Sequence, residues 1–256
     1  MAAGHVTPLL DFFRRGEVAY DVKIMAAQGA IAPRPLEQLG ILALLTHDHD
    51  SDVRATAEQT LTRIPVELIS GFIARSDVPT ELREFFVARG VDVAAVPLPD
   101  PEVALVDEDL TDYGPEPTTE AEKMSMVQRL AAMSVPEKVK AAMKGSREMR
   151  NVLVRDPNKM VCLAVMSSPK MTETEVASIA KMGSVSEDVL RVIAMNRAWT
   201  KNYTVILSLV KNSKTPLAMT LTLLNRLNEK DLRFISTDRN VPDPLRIAAR
   251  KKIVMG

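Results

Sequence analysis

The chain has 256 residues, of which 46% are hydrophobic and 26% are charged, the composition of an ordinary globular protein. A collagen-like or wholly disordered chain is excluded. The single cysteine, Cys162, excludes an internal disulfide and a thiolate cluster for zinc or iron–sulfur. The first residues lack the apolar stretch of an export signal, and no apolar run approaches the about 18 residues of a membrane span. We therefore expect a cytoplasmic protein that does not engage a membrane.

The formal net charge of zero hides a strong asymmetry along the chain. Residues 1–117 carry 9 Lys and Arg against 20 Asp and Glu, a net charge of −11. Residues 118–256 carry 24 against 13, a net charge of +11. Such a split indicates either partners of opposite charge or one half of the chain docking on the other.

A loose repeat runs through residues 1–90. The motif is an aliphatic residue followed directly by a basic residue and, three positions after the basic residue, by a small or aromatic residue. It recurs at spacings of 31 and 29, in Val22-Lys23 with Ala26, Val53-Arg54 with Ala57 and Leu82-Arg83 with Phe86. Each occurrence follows a polar or acidic turn, and the four-residue separation places the apolar residues on one helix face. The pattern predicts an N-terminal block of helices.

Residues 91–122 are rich in proline and acidic residues and contain no basic residue. Such a composition cannot bury enough apolar surface to offset the entropy of ordering, so it predicts a solvated linker. The apolar stretch Val103–Val106 inside it is open to a second interpretation, that of a docking motif.

Residues 123–256 contain a repeat with a period of 28, in windows that start at Leu153, Lys181 and Leu209 and in a shorter fourth window. A gapless alignment forms one column of Val161, Val189, Leu217 and Leu245, and a second of Val165, Ile193, Leu221 and Ala249. Each window holds two short helical stretches that cannot bury their apolar faces alone, so neighbouring windows must stack.

Local signals agree with this helical interpretation. Thr172 and Glu175 form a predicted capping box, and Ser186 is a predicted N-cap. Alternating strand patterns are absent. We predict an all-α fold, an α-solenoid of short helical repeats in two blocks, 1–90 and 123–256.

Two stretches carry a family resemblance. Leu153-Val154-Arg155-Asp156-Pro157, followed by Ser168-Pro169, resembles the units of leucine-rich repeat variant proteins. The stretch from Asp48 to Ala57 is similar to HEAT-like repeats. The second window departs from the first pattern, with Gly183 at the basic position. The resemblance implies an α-solenoid used as a binding surface.

Signals of catalysis are weak. No two of the ten glycines are closer than eleven positions, which excludes the glycine-rich loops that cradle phosphates. Three histidines, two of them in one turn, support neither a Ser-His-Asp nor a Cys-His arrangement. Cys162 stands beside a core column, which predicts a buried structural thiol. We predict no enzyme, no catalytic residue and no cofactor.

The turn His47-Asp48-His49-Asp50-Ser51-Asp52 contains residue types that bind metals. We predict that its aspartates instead cap the helix that opens at Val53, so no metal site is predicted. A metal-dependent enzyme at His47 and His49 stays open as an alternative.

The basic residues of the C-terminal repeats are the predicted binding site. Arg155, Lys211 and Arg239 share one repeat column, Lys170 and Arg226 share another, and Arg246, Arg250 and Lys251 crowd the last helix. We call these eight residues the basic stripe. They predict a non-catalytic scaffold that binds an acidic or helical protein partner.

A second function is left open, the binding of nucleic-acid phosphate backbones by the same stripe. Nucleic-acid modules commonly stack bases on aromatic side chains. Trp199, Tyr203 and Phe234 are the only aromatic residues in 123–256, and all three stand at core-like spacing, which disfavours base reading.

Overall fold

The computed structural model describes residues 8–32, 34–94, 104–106, 111 and 113–255. Within these ranges every regular element is helical, with sixteen α-helices, one 3₁₀ helix and no strand, so the predicted all-α class is confirmed. In the same ranges, no helix has the length and apolar character needed to cross a bilayer. The chain divides into two compact units, residues 1–150 with 167–169 and residues 151–166 with 170–256.

The described helices that begin in the first unit are α1 (Pro8–Arg15), α2 (Tyr20–Ala27), α3 (Pro35–Leu45), α4 (Ser51–Arg63), α5 (Val66–Ile73), α6 (Thr80–Ala88), α7 (Glu120–Ala132), α8 (Val135–Lys144) and α9 (Arg147–Leu153). The predicted N-terminal motif is confirmed, because Val22, Val53 and Leu82 are each the third residue of a helix and are all buried. Helix α2 packs on α3 and α4, and α3 packs on α1 and α6.

The buried amide of Gln38 in α3 holds a short piece of the predicted linker. Its Nε2 donates to the carbonyl oxygens of Val106 at 2.5 Å and Gly29 at 3.0 Å. Its Oε1 accepts from the backbone N–H groups of Leu105 at 2.8 Å and Val106 at 3.0 Å. Both polar atoms of a side chain that is 1% exposed are thus satisfied. These described residues are docked on α3, while residue 103 lies outside the described part of the chain.

The end of the acidic segment also contacts helices of the first unit. The Glu116 carboxylate accepts from the backbone N–H groups of Arg147 at 2.6 Å and Glu148 at 3.3 Å, at the start of α9. Arg129 in α7 donates to the Tyr113 carbonyl oxygen at 3.3 Å. Carboxylates are favoured at a helix N-terminus, where the first N–H groups lack intrahelical partners.

The described helices of the second unit are α10 (Lys159–Met166), α11 (Glu173–Lys181), α12 (Glu187–Met195), α13 (Tyr203–Lys211), α14 (Leu217–Leu224), α15 (Glu229–Thr237) and α16 (Asp243–Met255), with a 3₁₀ helix at Trp199–Lys201. Thr172 and Glu175 form the predicted capping box of α11, and Ser186 caps α12 as predicted. Helix α10 packs on α12, α11 on α13, and α14 on α16. In these three cases the corresponding helices of successive pairs are neighbours, while the solenoid arrangement stays a prediction.

The repeat is less regular in space than in the gapless alignment. The first helices of successive pairs begin at Lys159, Glu187, Leu217 and Asp243, at spacings of 28, 30 and 26. The second helices begin at Glu173, Tyr203 and Glu229, at spacings of 30 and 26. The period of 28 is therefore an average, which holds only between α10 and α12.

This irregularity overturns part of the predicted core. Leu217 and Leu221, which the alignment places in core columns, are 39% and 36% exposed. Because the spacing between the starts of α12 and α14 is 30 rather than 28, the buried positions move to Thr220, Leu223 and Leu224. The prediction for the two leucines is wrong, whereas Val161, Val189 and Leu245 of the same column are fully buried.

We call the loop that runs from the second helix of one pair to the first helix of the next pair a corner. Hydrogen bonds from one side chain connect two successive corners. Asn212, which caps the C-terminus of α13, donates from Nδ2 to the carbonyl oxygens of Ala180 at 2.9 Å and Met182 at 3.1 Å. Those carbonyls belong to the end of α11, where intrahelical donors run out. Asn212 is 8% exposed, so these bonds satisfy polar groups that water does not reach.

Equivalent corner positions carry Val185, Thr215 and Val241, each two residues before a helix start and each at most 5% exposed. The Thr215 hydroxyl has no hydrogen-bond partner among the described residues. A buried unsatisfied hydroxyl costs free energy, and the two related corners accommodate valine, which has nearly the same shape.

We predict that Thr215→Val raises the free energy of unfolding by about 1 kcal/mol, because it removes the unsatisfied hydroxyl. Denaturant unfolding followed by circular dichroism measures the change. The control is Thr220→Val, which removes an equally buried hydroxyl that donates to the Leu217 carbonyl at 2.9 Å and should not stabilise. A Thr215→Val variant less stable than the parent chain would contradict the prediction.

Candidate functional site

The second unit concentrates positive charge. Its residues, 151–166 and 170–256, include 17 Lys and Arg against 9 Asp and Glu, a net charge of +8. Four ion pairs within it use Lys159 with Asp188, Arg191 with Glu187, Arg233 with Glu229 and Arg246 with Asp243. Most of its cationic residues take no part in those four pairs, and their environment decides what the surface can bind.

The structure places Arg155, Lys211 and Arg239 at the same kind of corner. Arg155 lies between α9 and α10, Lys211 is the last residue of α13, and Arg239 lies between α15 and α16. Lys181, the last residue of α11, occupies the corner at which the alignment left Gly183. The gapless alignment placed Gly183, two residues after Lys181, in the column of Arg155 and Lys211, and so left Lys181 out. A basic residue in the last turn of a predicted helix is nevertheless typical of a helix C-terminus and could have identified Lys181.

Two of these corner cations have neutral partners. Arg155 donates from Nε to the Asn151 carbonyl oxygen at 3.0 Å, and the Lys211 ammonium lies 4.2 Å from the centre of the Phe234 ring. Arg239 is exposed. In the described part of the chain, no carboxylate lies within 4.0 Å of any of these three.

The other stripe residues lie elsewhere on the unit. Lys170 and Arg226 are exposed in the loops before α11 and α15, at the opposite ends of those helices from the corners. On α16, Arg246 pairs with Asp243, and Arg250 donates to the Ser236 carbonyl at 3.2 Å, while Lys251 is exposed. The eight residues thus form three groups, of which the corner group repeats with the helix pairs.

A polar cleft of about 260 Å³ opens at the first of these corners. Its charged lining consists of Arg155, Lys159, Lys214, Asp156 and Asp188. The uncharged lining consists of Pro157, Cys162, Ser184, Val185 and Ser186. The Lys159 ammonium lies 3.1 Å from the Asp188 carboxylate, and Asp156 accepts from the backbone N–H of its own turn.

Cys162 contributes a thiol rather than a thiolate to this cleft. It is 1% exposed, and its Sγ lies 3.2 Å from the Lys159 carbonyl oxygen and 3.8 Å from the Ser186 hydroxyl. Burial raises the pKa of the Cys162 thiol, so its nucleophilic form is depleted at neutral pH. The predicted burial of the Cys162 thiol is confirmed.

The aromatic residues of the second unit differ from the prediction of core positions. Tyr203 and Phe234 are 37% and 51% exposed, so core placement was wrong for both, and Trp199 is half-buried. The Tyr203 hydroxyl donates to the Asp231 carboxylate, and the Phe234 ring lies under the Lys211 ammonium. The helical spacing indicated that Tyr203 and Phe234 are buried, whereas both side chains lie at the surface and make polar contacts there.

The aspartates of the histidine turn serve the fold. Asp50 caps α4 as predicted, because its Oδ1 accepts from the N–H groups of Asp52 at 2.9 Å and Val53 at 3.2 Å. His47, which is exposed, lies with Nδ1 3.0 Å from the Thr46 hydroxyl. Among the described residues, no group of three or more potential ligands is placed to hold a metal.

Asp48 of the same turn forms a largely buried ion pair. Its carboxylate lies 2.7 Å from the Lys23 ammonium of α2, and the two side chains are 11% and 21% exposed. Burial would raise the pKa of Asp48, but hydrogen bonds from Lys23 and from the Asp50 N–H outweigh it and hold the pKa below its ordinary value.

The first unit also contains an apolar cavity of about 270 Å³. Its lining comes from α1, α3 and α6 and includes Leu10, Leu36, Leu44 and Phe85. One exposed ion pair, Arg14 with Glu81 at 4.0 Å, stands at its edge. His47 of the histidine turn also lines the cavity, whose apolar part accommodates an aliphatic or aromatic group.

We predict that Lys23→Met lowers the free energy of unfolding by about 1 kcal/mol at neutral pH. Because the folded-state pKa of Asp48 lies below its unfolded value, the contribution is present above about pH 3.9 and is lost as the pH falls further. Urea unfolding of both proteins between pH 7 and 2.5 should therefore converge at acidic pH.

The control is Lys123→Met, which removes an exposed pair with Glu120 and should change stability little at any pH. A Lys23→Met effect that stays constant down to pH 2.5 would mean that the pair with Asp48 is not its cause.

Comparisons of the chain with protein-family models, with curated proteins and with solved structures found no match. The function of the protein is therefore inferred from its own residues and their contacts.

Proposed function

We propose that the protein is a non-catalytic scaffold whose second unit binds an acidic protein partner through its basic surface. The observation that carries this proposal is the excess of cations without carboxylates. Arg226, Arg239 and Lys251 are exposed, and no carboxylate among the described residues lies within 4.0 Å of them. Such charges contribute little to folding, while they attract and orient an acidic partner.

The mechanism begins with electrostatic steering. A net charge of +8 on one compact unit produces a field that accelerates encounter with an acidic surface and weakens as salt rises. Because the cations stay hydrated on the surface, their main effects are on association rate and orientation rather than on a large gain in affinity.

Exposed apolar side chains of the second unit supply contact area for a helical partner. Leu217 and Leu221 lie four residues apart on α14, and Ile247, which is 51% exposed, lies on the neighbouring α16. An amphipathic helix with acidic flanks buries such residues while its carboxylates meet the surrounding basic groups. A solenoid of the leucine-rich repeat variant or HEAT-like kind, located in the cytoplasm, is the architecture that we propose for this role.

Nucleic-acid binding by the same surface is the second function. The Lys211 ammonium lies against one face of the exposed Phe234 ring, and the Tyr203 hydroxyl is bonded to the Asp231 carboxylate, so both aromatic side chains already have partners that a stacked base would have to displace or share. We therefore favour the protein partner and treat nucleic-acid binding as an outcome of the test.

The test uses the full chain and a short fluorescein-labelled poly-L-glutamate, with binding followed by fluorescence anisotropy. We expect binding at about 50 mM NaCl that weakens at least tenfold at about 300 mM NaCl. Combined Arg226→Glu, Arg239→Glu and Lys251→Glu substitutions should weaken it at least tenfold, because they reverse three exposed charges on the second unit.

Arg63→Glu is the matched control, since it reverses an exposed charge in the first unit and should leave the affinity within about twofold. Circular dichroism checks that every variant keeps its helix content. Absence of binding at low salt contradicts the proposal. Retention of a labelled DNA duplex under conditions where poly-L-glutamate does not bind would favour the nucleic-acid function instead.

A further inference from the structure

The cleft at the first corner combines a cavity with cations that have no carboxylate partner. Arg155 and Lys214 line it, and both are exposed. The Lys214 ammonium contacts the Val185 carbonyl oxygen at 3.4 Å, and the Arg155 guanidinium contacts the Asn151 carbonyl oxygen through Nε alone. Among the described residues, no other group accepts from the remaining Arg155 guanidinium N–H groups, so these N–H groups are available to a ligand.

The two carboxylates in the lining are already engaged. Asp188 lies 3.1 Å from the Lys159 ammonium, and Asp156 accepts from the backbone N–H of Asn158 at 2.8 Å. The pair of Lys159 with Asp188 is neutral overall, and Asp156 adds a single negative charge to two positive charges. The lining therefore carries a net positive charge, which favours an anionic ligand.

The hydrogen-bonding groups favour a phosphoryl group over a carboxylate. A guanidinium presents paired donors, an ammonium presents three, and the Ser184 hydroxyl at the rim can donate as well. A phosphate monoester offers three oxygens and nearly two negative charges, which match the two cations, whereas a carboxylate offers two oxygens and a single negative charge. The positive ends of α10 and α12, which begin beside the cleft, add to the field without defining the site.

We propose that this cleft binds the phosphate monoester of a phosphorylated serine or threonine on the partner protein. The proposal rests on the proposed function, because it assigns part of the partner's negative charge to a phosphoryl group. The volume of about 260 Å³ exceeds that of the phosphoryl group alone and leaves room for the side chain that carries it.

The experiment titrates the ¹⁵N-labelled full chain with N-acetyl-O-phosphoserine N-methylamide at about 50 mM NaCl. Saturable amide shifts are expected in residues 155–162 and 184–189, which border the cleft. Arg155→Ala and Lys214→Ala should each weaken binding about tenfold, because each removes a charged donor to the phosphoryl oxygens. The control is Lys230→Ala, which removes an exposed cation of α15 outside both the cleft and the basic stripe and should leave the affinity within about twofold.

Further titrations distinguish the anion and its source. The glutamate analogue, N-acetylglutamate N-methylamide, should bind at least tenfold more weakly than the phosphoserine derivative, and equal binding would overturn the preference for phosphate. Inorganic phosphate that binds more tightly than the phosphoserine derivative would make the cleft a site for the free ion and would overturn the assignment to a partner side chain.

The outcome separates this proposal from the proposed function. Absence of shifts at the cleft, with poly-L-glutamate still bound in a manner that depends on Arg226, Arg239 and Lys251, overturns the phosphoryl site alone. Saturable phosphoserine binding without any binding of poly-L-glutamate would support an anion site while contradicting the broader acidic-partner surface.

Discussion

Short helices that cannot stand alone impose the main constraint on the second unit. Its longest α-helix runs from Asp243 to Met255, and even a helix of that length is marginal when isolated in water. Each helix must therefore bury an apolar face on its neighbours, as α10 does on α12 and α11 does on α13. The corners are where this packing leaves backbone carbonyls without intrahelical donors, and the Asn212 amide satisfies two of them across adjacent repeats.

The same corners explain why cations gather where they do. A helix ends with exposed carbonyl dipoles, which favour a basic residue in its last turn or just beyond it. Lys181 and Lys211 end their helices, and Arg155 and Arg239 follow theirs by two residues. Stability alone therefore accounts for one basic residue at each corner. It does not account for the fact that, in the described part of the chain, no carboxylate lies within 4.0 Å of Arg155, Lys211 or Arg239, and this property makes the surface a candidate for binding.

Much of the architecture could be predicted from the sequence because the signals were local. The capping box of Thr172 with Glu175, the Asp50 cap and the burial of Val22 and Val53 depend on residues within one helical turn. The exposure of Leu217 could not be predicted from a gapless alignment, because two residues shift the register of a whole helix.

Non-local contacts escaped prediction for a related reason. Gln38 is a polar residue in an apolar helix, and its partners Leu105 and Val106 lie in a distant part of the sequence. No periodicity links such positions, and only the fold brings them together. The cleft beside Arg155 is of the same kind, because Lys214 reaches it from a different repeat. The corner residues Arg155, Lys211 and Arg239 could be found as a column of the aligned repeats, but a concave site between repeats could not.

The cations of the second unit fall into two sets with different physical roles. Arg191 and Arg233 each pair with a glutamate four residues earlier on the same helix, a geometry that supports the helix itself. Arg155 and Lys214 face a cleft in which Asp156 offsets only one of their two positive charges, so their mutual repulsion is partly retained and opposes folding slightly. An anion that seats there would remove that repulsion and bind only the folded chain, so binding and folding would be coupled. The excess positive charge at the cleft thus slightly lowers the stability of the free protein. A phosphorylated partner would neutralise that charge, and the relief of the repulsion would contribute to the free energy of binding.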